Sequence, residues 1–250
     1  TYTSTPTSTA TPTATSTPTS TPTRLPFSID VTAHPAYIPI GGATSSITAT
    51  VKDEYGENVA DGTVVTFTTS LGALGSTTVT KTTTTGVATA LLTSETTAGT
   101  AVITATADSK YDIAKVVFNP DPPYTVTLTA DPVAIPANGV STSTLRATVT
   151  DQYGNPVADW TPVTFTTDLG TFYGSSSVVR LTAGGVAPAI LTSSKIDGLA
   201  TVIATCQGKE GQTHVFFYSY LFKLHLPLIL KAHSEGLGRA EFYLLATTCR

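Results

Sequence analysis

The chain has 250 residues, a formal net charge of −4, and a charged fraction of only 12%. Without a basic field there is nothing to attract nucleic acid or anionic lipid, so we predict no nucleic-acid partner. Since the sequence contains no Met, we expect a fragment or a processed product, in which no signal peptide can be read.

Residues 1–26 form a low-complexity tract of Thr, Ser and Pro that has no apolar periodicity. A tract of this composition cannot offset the entropy lost on ordering. We therefore predict a disordered or extended linker that makes almost no contact with residues 27–219. Two interpretations stay open, a bare flexible linker and an O-glycosylated stalk.

The rest of the chain is dominated by an internal repeat, in which VKDEYGENVADGTVVTFTTSLG (51–72) returns as VTDQYGNPVADWTPVTFTTDLG (149–170). Within each copy, apolar and polar residues alternate with a period of two, which is typical of half-buried strands. Short strands separated by turn sequences such as DEYGEN and DQYGNP, without a helical stripe, indicate an antiparallel sandwich. The prediction is an all-β chain with sandwiches at 27–119 and 124–219.

The apolar faces of the strands predict two separate cores. In the first copy the core residues are Ile47, Ala49, Val51, Val65, Phe67, Ala88, Ala90, Leu92, Ala101, Ile103 and Ala105. In the second copy they are Leu145, Ala147, Val149, Val163, Phe165, Ala187, Ala189, Leu191, Ala200, Val202 and Ala204. Cys206 matches Ala107 of the first copy, so we interpret it as a small core residue, with a bridge to Cys249 as the alternative.

Prolines mark special positions along the strands of both copies. Pro35 and Pro39, like Pro132 and Pro136, interrupt the first strand, and we expect its two halves to pair with different sheets. Pro188 lies on the outward face of its strand, which predicts an edge strand because Pro cannot donate to a ladder.

Two connecting segments complete the chain. Residues 120–123 form a Pro-rich joint, which should be stiff and leave the sandwiches end to end with restricted bending. Residues 220–250 form an apolar extension of unknown role, whose apolar run is shorter than a membrane-spanning helix needs. A terminal strand with an extension and a membrane-associated or sorting segment are the two interpretations of it.

Both copies follow one pattern, A-T-V-x-D-x-x-G-x-x-V-A-D, then V-T-F-T-T-x-L-G, G-V-A-x-A-x-L-T-S and G-x-A. This pattern resembles the bacterial Ig-like repeats of the intimin/invasin type, over residues 30–119 and 127–218. The resemblance implies Ig-like β-sandwiches, used in tandem as stalks of adhesins or as accessory modules of secreted enzymes. The copies differ where Trp160 replaces Gly62, and where Glu57-Asn58 replaces Asn155-Pro156.

Acidic side chains cluster around the repeated turns, with Asp53 and Asp61 in one copy and Asp151 and Asp159 in the other. Oxygen ligands at such spacing are candidates for a Ca²⁺ site. The alternative, which we favour, is that each Asp caps its turn by accepting hydrogen bonds from nearby backbone N–H groups. We therefore predict that no metal is needed.

Trp160 and Tyr173 are the candidate ligand-binding residues, expected to be exposed near the same strand region of the second copy. An aromatic ring can stack on a sugar, and it can equally cover the end of a sandwich. Because the first copy has Gly62 and Gly75 near these positions, the feature belongs to the second copy alone. The four histidines lack partners at metal-ligand spacing and there is no G-x-S-x-G elbow, so we predict neither enzyme activity nor a cofactor.

The function predicted from these observations is a non-catalytic extracellular spacer, a stalk on a bacterial surface or on a secreted protein. The alternative is an accessory or glycan- or protein-binding module of a larger secreted enzyme. For both we expect an extracellular or cell-surface location and monomeric modules within a longer chain. A cell-surface protein or a glycan is the expected partner, and the extension at 220–250 leaves membrane association open.

Overall fold

The computed structural model describes residue 1 and residues 24–219, and the regular secondary structure of this part of the chain is entirely β-strand. The first copy, sandwich 1, consists of β1 (Ser28–His34), β2 (Tyr37–Pro39), β3 (Thr44–Lys52), β4 (Val64–Thr69), β5 (Thr78–Thr82), β6 (Val87–Thr93), β7 (Gly99–Ala107) and β8 (Lys110–Asn119). The all-β prediction is confirmed. The described residues form no helix long and apolar enough to cross a membrane.

The second copy, sandwich 2, repeats the same series of strands. It consists of β9 (Thr125–Asp131), β10 (Ala134–Pro136), β11 (Thr142–Thr150), β12 (Pro162–Thr167), β13 (Ser177–Leu181), β14 (Val186–Thr192), β15 (Gly198–Cys206) and β16 (Lys209–Tyr218). In each copy a three-stranded sheet, β1-β3-β6 or β14-β11-β9, faces a five-stranded sheet, β2-β8-β7-β4-β5 or β10-β16-β15-β12-β13. The predicted tandem sandwiches are therefore present.

The first strand of each copy is split as the prolines predict. β1 pairs antiparallel with β3, whereas β2 crosses to the other sheet and pairs parallel with β8. β9 and β10 divide in the same way between β11 and β16. Pro35 and Pro132 lie between the two halves, where the chain leaves one sheet for the other.

The two predicted cores are confirmed, since every residue named for them is at most 3% exposed. Alternation accounts for this result: β3, with the sequence TSSITATVK, buries every second side chain against the opposite sheet. Cys206 is buried in the core of sandwich 2, as its match to Ala107 predicts. Its alternative partner, Cys249, lies outside the described residues.

Pro188 lies on β14, which is an edge strand of its sheet and pairs with β11 in the described chain. Its side chain is exposed, as expected. The remaining predictions for residues 2–23 and 220–250, including linker disorder, glycosylation and the C-terminal extension, lie outside the described residues.

One prediction for the N-terminal tract is wrong at its last residues. Arg24 donates from Nη1 to the carbonyl of Asn58 over 3.3 Å, and its Nε lies 3.6 Å from Oδ2 of Asp53. Arg24 therefore contacts sandwich 1, because the buried Asp53 carboxylate offers an acceptor that a composition argument does not reveal.

Candidate functional site

The first candidate site is the repeated acidic turn that follows β3 and β11. Asp53 is only 4% exposed, and its Oδ1 accepts hydrogen bonds from the backbone N–H groups of Tyr55 and Glu57, both at 3.0 Å. Asp151 is 2% exposed, and its Oδ1 accepts from Tyr153 and Asn155, both at 2.9 Å. Each carboxylate thus caps its own turn.

The second pair of acidic residues acts on a different loop. Oδ1 of Asp61 accepts from the N–H of Thr85 at 2.6 Å, and Oδ1 of Asp159 accepts from the N–H of Gly184 at 2.7 Å. In sandwich 1 this bond connects the segment before β4 to the tight turn between β5 and β6. In sandwich 2 it connects the segment before β12 to the turn between β13 and β14. Within the described residues, no group of three or more His, Cys, Asp or Glu side chains could hold a metal ion.

The turn of sandwich 2 also holds the two sandwiches together. Nδ2 of Asn155 donates to the carbonyl of Thr96 at 2.8 Å, and Oδ1 of Asn155 accepts from the N–H of Ala98 at 3.0 Å. Thr96 and Ala98 belong to the loop between β6 and β7 of sandwich 1. One amide side chain therefore satisfies two backbone groups of the neighbouring sandwich.

The connecting segment is fixed to the same turn. The N–H of Asp121 donates to Oδ2 of Asp151 at 3.2 Å, and Nε2 of Gln152 donates to Oδ2 of Asp121 at 2.8 Å. Asn155 completes the network by donating from Nδ2 to Oδ2 of Asp151 at 2.9 Å. The joint is thus held by side-chain hydrogen bonds in addition to its prolines.

This network sets the ionisation of Asp151. Burial alone would raise the pKa of the carboxyl, because desolvation penalises the charged form. The hydrogen bonds from the side chain and backbone of Asn155, and from the N–H groups of Tyr153 and Asp121, outweigh burial and lower the pKa below its ordinary value. The carboxylate at the joint is therefore stabilised in its charged form.

Trp160, the first aromatic candidate, is 76% exposed and lies just before the start of β12. Its φ of 67° lies in the left-handed region, and its N–H donates to Thr182 at 2.9 Å. Gly62 makes the same bond to Thr83 at 2.9 Å with a φ of 85°. Sandwich 2 thus keeps a bulky ring in a backbone conformation that favours glycine.

Tyr173, the second aromatic candidate, is 74% exposed and lies in the turn between β12 and β13. Phe172 and Ser175 exchange backbone hydrogen bonds around Tyr173-Gly174, whose φ angles of 52° and 88° are both positive. The guanidinium of Arg180 lies 5.4 Å from the centre of the Tyr173 ring. Together with β14 residues they line a shallow groove of about 300 Å³ that includes Thr144, Pro188, Ala189 and Ile190.

The two aromatic residues are exposed as expected, but they do not form one site. Pro162, at the start of β12, pairs with Leu181, whereas Thr166 near its end pairs with Ser177. Trp160 therefore lies at one end of this strand pair and Tyr173 at the other, so a strand of roughly 20 Å separates them. The expectation that both residues lie in the same region is therefore wrong. Trp160 precedes β12 and Tyr173 follows it, so the full length of that strand lies between them.

Sequence reasoning missed Asn155 and Arg24 as contact residues. A difference between the copies could have drawn attention to Asn155, since Glu57 occupies the matching position of sandwich 1. Arg24 carried no signal, because it lies at the end of a tract that has no other charged residue.

Comparison with known proteins places this geometry in a family. The family model of invasin domain 3 matches twice, at residues 25–121 and 123–218. No curated protein matches the chain.

Solved structures are also similar to part of this chain. Invasin, described as a bacterial integrin-binding protein, is 30% identical over 77% of this chain and 39% of its own, with a TM-score of 0.42. InvD of Yersinia pseudotuberculosis is 24% identical over 77% of this chain and 58% of its own, with a TM-score of 0.60. A fragment of intimin in complex with the intimin-binding domain of its translocated receptor is 18% identical over 74% and 62%, with a TM-score of 0.32.

The chain spans 39% of the invasin structure and 58% of InvD. The two family matches cover both sandwiches and confirm the resemblance to Ig-like repeats of the intimin/invasin type. The chain belongs to the invasin domain 3 family and carries two tandem copies of its domain.

Proposed function

We propose that the tandem pair is a non-catalytic extracellular spacer that holds another domain away from a bacterial surface or from the body of a secreted protein. The observation that carries this proposal is the joint, where Asn155 bonds to the Thr96 carbonyl and the Ala98 N–H across the two sandwiches. A spacer needs its modules to keep their relative orientation, and a hydrogen-bonded joint with a Pro-rich connection favours this.

The family supports the extracellular location. Invasin is described as integrin-binding, and an intimin fragment has been solved with its translocated receptor. By analogy, the partner of the longer protein would be a cell-surface protein, with the tandem pair presenting the part that binds it. This assignment rests on family membership, and the spacer role rests on the joint.

A display experiment tests the spacer role. A small binding domain is fused before residue 1, the chain is anchored through residue 250, and capture of a large bead that carries the cognate ligand is measured. The matched control carries Phe67→Ala and Phe165→Ala, which destabilise both sandwiches without changing the length of the chain, and capture is compared at a temperature at which only the control is unfolded. We expect capture to fall in the control, because the ends of an unfolded chain fluctuate over a wide range of separations and the fused domain is not held at a fixed distance.

Equal capture by the folded and unfolded forms would contradict the spacer role. So would bead or cell capture by the chain without its fused domain, because the pair would then itself be the binding element.

A second candidate function, a binding module, is favoured by Trp160 and Tyr173. Sandwich 2 keeps both rings more than 70% exposed at positive φ. Sandwich 1 has Gly62 in place of Trp160, whereas Tyr173 is an extra residue before Gly174, which matches Gly75. A side chain retained at a strained position is a reason to look for a role in recognition. Because the rings lie at opposite ends of β12 and β13, each would bind separately.

Binding to a glycan panel or to host cells distinguishes this candidate from the spacer. The binding module predicts that Trp160→Gly or Tyr173→Gly removes binding while the melting temperature holds, since glycine suits both backbone conformations. No binding by the native chain, or binding that both variants retain, would eliminate these rings as the contact residues.

A further inference from the structure

The groove beside Tyr173 lies along one edge of sandwich 2. Its lining includes residues of β13 and β14, which are the edge strands of the five-stranded and the three-stranded sheet. The turn between β12 and β13 contributes Tyr173. A volume of about 300 Å³ is at the lower limit of small-molecule sites in proteins, so its size suits one sugar ring with its substituents.

The ring of Tyr173 is supplied by an insertion in the repeat. In sandwich 1 the N–H of Leu74 donates to the carbonyl of Ser76, whereas in sandwich 2 the N–H of Phe172 donates to the carbonyl of Ser175. The second turn is therefore one residue longer, and the extra residue is Tyr173, with a φ of 52°. Because a bulky residue rarely adopts this left-handed conformation, the insertion is a reason to look for a function of the ring.

Arg180 places a positive charge beside this ring. The side chain is half-buried on β13, and its guanidinium carbon lies 5.4 Å from the centre of the Tyr173 ring. Both side chains line the same groove. A ligand that contacts both therefore needs an apolar ring face with a negative charge roughly 5 Å away.

The guanidinium of Arg180 keeps donors for a ligand. Its Nη1 donates to the carbonyl of Val179 at 3.1 Å, which uses one of its five N–H donors. Within the described part of the chain, no carboxylate forms an ion pair with Arg180, and no acidic side chain lines the groove. An anion that enters the groove is therefore attracted without displacing an internal partner.

The sheet beside the groove adds a second positive charge. Arg146 lies on the exposed face of β11, opposite Pro188 of β14. The one acidic residue of this three-stranded sheet is Asp131, which lies opposite Thr144 on β9, on the side of β11 away from β14. Since a guanidinium fork matches the two oxygens of a carboxylate, this is the anion that the groove suits best.

The other lining residues suit the body of a sugar. Pro188 and Ile190 are exposed on β14 and give the groove an apolar floor. Thr144 is exposed on β11 and offers a hydroxyl that can donate or accept. A sugar has an apolar ring face and several hydroxyl groups, so it can use the aromatic ring, the apolar floor and the hydroxyl together.

The matching edge of sandwich 1 does not reproduce these features. Strand register places Lys81 where sandwich 2 has Arg180, and Thr89 where it has Pro188. No residue matches Tyr173, because the turn of sandwich 1 is shorter. Sandwich 1 therefore provides an internal control that has a positive charge at this edge, but neither the ring nor the guanidinium fork.

We propose that this groove binds a sugar that carries a carboxylate, such as a hexuronic acid or a sialic acid residue. The sugar ring packs on Tyr173 and on the apolar floor, and its carboxylate pairs with Arg180. The proposal rests on the binding-module function of sandwich 2 and adds the class of ligand and the residues that recognise it. It does not involve Trp160 and is independent of the spacer role.

Titration of the full chain, followed by NMR of backbone amides, tests the class of ligand. The acidic probes are trigalacturonic acid and sialyllactose, and their neutral counterparts are the methyl ester of trigalacturonic acid and lactose. We expect saturable shifts at Tyr173 and Gly174 with the acidic sugars. Binding of the neutral sugars should be at least about tenfold weaker, since the charge-assisted hydrogen bonds are lost. Salt should weaken binding of the acidic sugars alone.

Substitutions assign the contact to the two side chains. Arg180→Gln should weaken binding of the acidic sugars roughly tenfold and leave the neutral sugars unchanged. Arg180→Lys should retain part of the affinity, because it keeps the charge without the fork. Tyr173→Gly should weaken binding of all four sugars, since glycine keeps the turn but removes the ring. Lys81→Gln, at the matching position of sandwich 1, is the control and should bind like the native chain.

The outcomes separate the class of ligand from the binding function itself. Equal binding of acidic and neutral sugars, lost in Tyr173→Gly, would overturn the carboxylate assignment and leave the binding module standing. No shift at the groove with any of the four sugars up to about 10 mM would overturn the proposal. Shifts caused by a polyglutamate peptide and by none of the sugars would assign the groove to acidic peptides instead. Melting temperatures of the variants check that the fold is intact.

Discussion

At the residue scale, one glycine in each copy has a role that no other side chain can take. Gly72 and Gly170 have φ angles of 72° and 79°, and a Cβ on either would lie 2.6 Å from a backbone carbonyl oxygen, of Thr93 or of Thr192. The ring of Phe118 or of Phe217 lies within 3 Å of the same point. The motif L-G therefore places a turn against the core just after β4 and β12, and the crowding there cannot be relieved by moving one flexible side chain.

We predict that Gly170→Ala destabilises sandwich 2 by about 2–4 kcal/mol, since left-handed strain and overpacking add. Gly154→Ala is the matched control, because its φ is 83° but its Cβ would meet nothing within 4 Å. It should cost only about 1 kcal/mol. Denaturant unfolding measures both, and equal costs would mean that the contact with Thr192 is irrelevant.

Asp151 predicts a pH dependence at the same scale. Its pKa in the folded protein is below the ordinary value of 3.8, so the carboxylate contributes stability that is present above that value. The contribution is lost as pH falls through the folded-state pKa. Thermal unfolding of sandwich 2 should therefore show a melting temperature that decreases on acidification below 3.8.

Asp151→Asn provides the comparison for this pH dependence. The amide cannot accept as many of the surrounding N–H donors, so the variant should melt lower at neutral pH and depend less on acid. Identical pH profiles for the two proteins would show that Asp151 is not the group responsible.

At the scale of the strand, the duplicated alternation predicts the cost of removing a core ring. Phe67 and Phe165 are fully buried on β4 and β12 of their sandwiches. Each truncation to Ala should cost about 3–5 kcal/mol, by lost burial and by the cavity that remains. Hydrogen exchange resolved by peptide should place the loss of protection in 28–119 for Phe67→Ala and in 125–218 for Phe165→Ala.

The turns between strands predict the response to a chelator. Asp53, Asp61, Asp151 and Asp159 each accept a backbone hydrogen bond, which uses carboxylate oxygens that a Ca²⁺ ion would need. We expect the melting temperature to be the same with and without a chelator. A drop of many degrees would revive the calcium hypothesis at these four residues.

The strands were largely predictable from the sequence, but their partners were less so. A period of two assigns Val163 and Phe165 to the buried face regardless of which strand lies beside them. The split of the first strand followed from Pro35 and Pro39. Contacts between residues far apart in the sequence could not be predicted from this periodicity. The hydrogen bond from Thr85 to Asp61 is an example, since Thr85 lies in a turn between two later strands.

The candidate sites were predictable only to the same extent. The sequence predicted that Trp160 and Tyr173 are exposed and that they belong to the second copy alone. The distance between them depends on the direction of β12 and on its register with β13. The role of Asn155 depends on docking between sandwiches, which a periodic pattern within one sandwich does not encode.

At the scale of the whole molecule, Asn155→Ala tests the joint. Because Oδ1 of Asn155 accepts from the N–H of Ala98, its loss should speed exchange of that amide roughly fivefold to tenfold, as for a hydrogen bond worth about 1 kcal/mol. Strand amides in both sandwiches should keep their protection. Hydrogen exchange followed by NMR resolves the single position.

Asn138→Ala is the matched control for the joint, because Asn138 caps Val140 and Ser141 within sandwich 2. It should leave Ala98 unchanged. Faster exchange of Ala98 in the control, or no change in Asn155→Ala, would refute the joint as described.

The split first strand has a consequence for tension along the chain. In each copy a short early strand lies parallel to the last strand, with Ile38 opposite Phe118 and Ile135 opposite Phe217. Pulling the two ends of a sandwich apart slides these parallel neighbours past each other in shear, so their hydrogen bonds must rupture together and cannot open one by one. Resistance to pulling is then set by the height of that rupture barrier, through the unfolding rate, and not by the equilibrium stability of the fold.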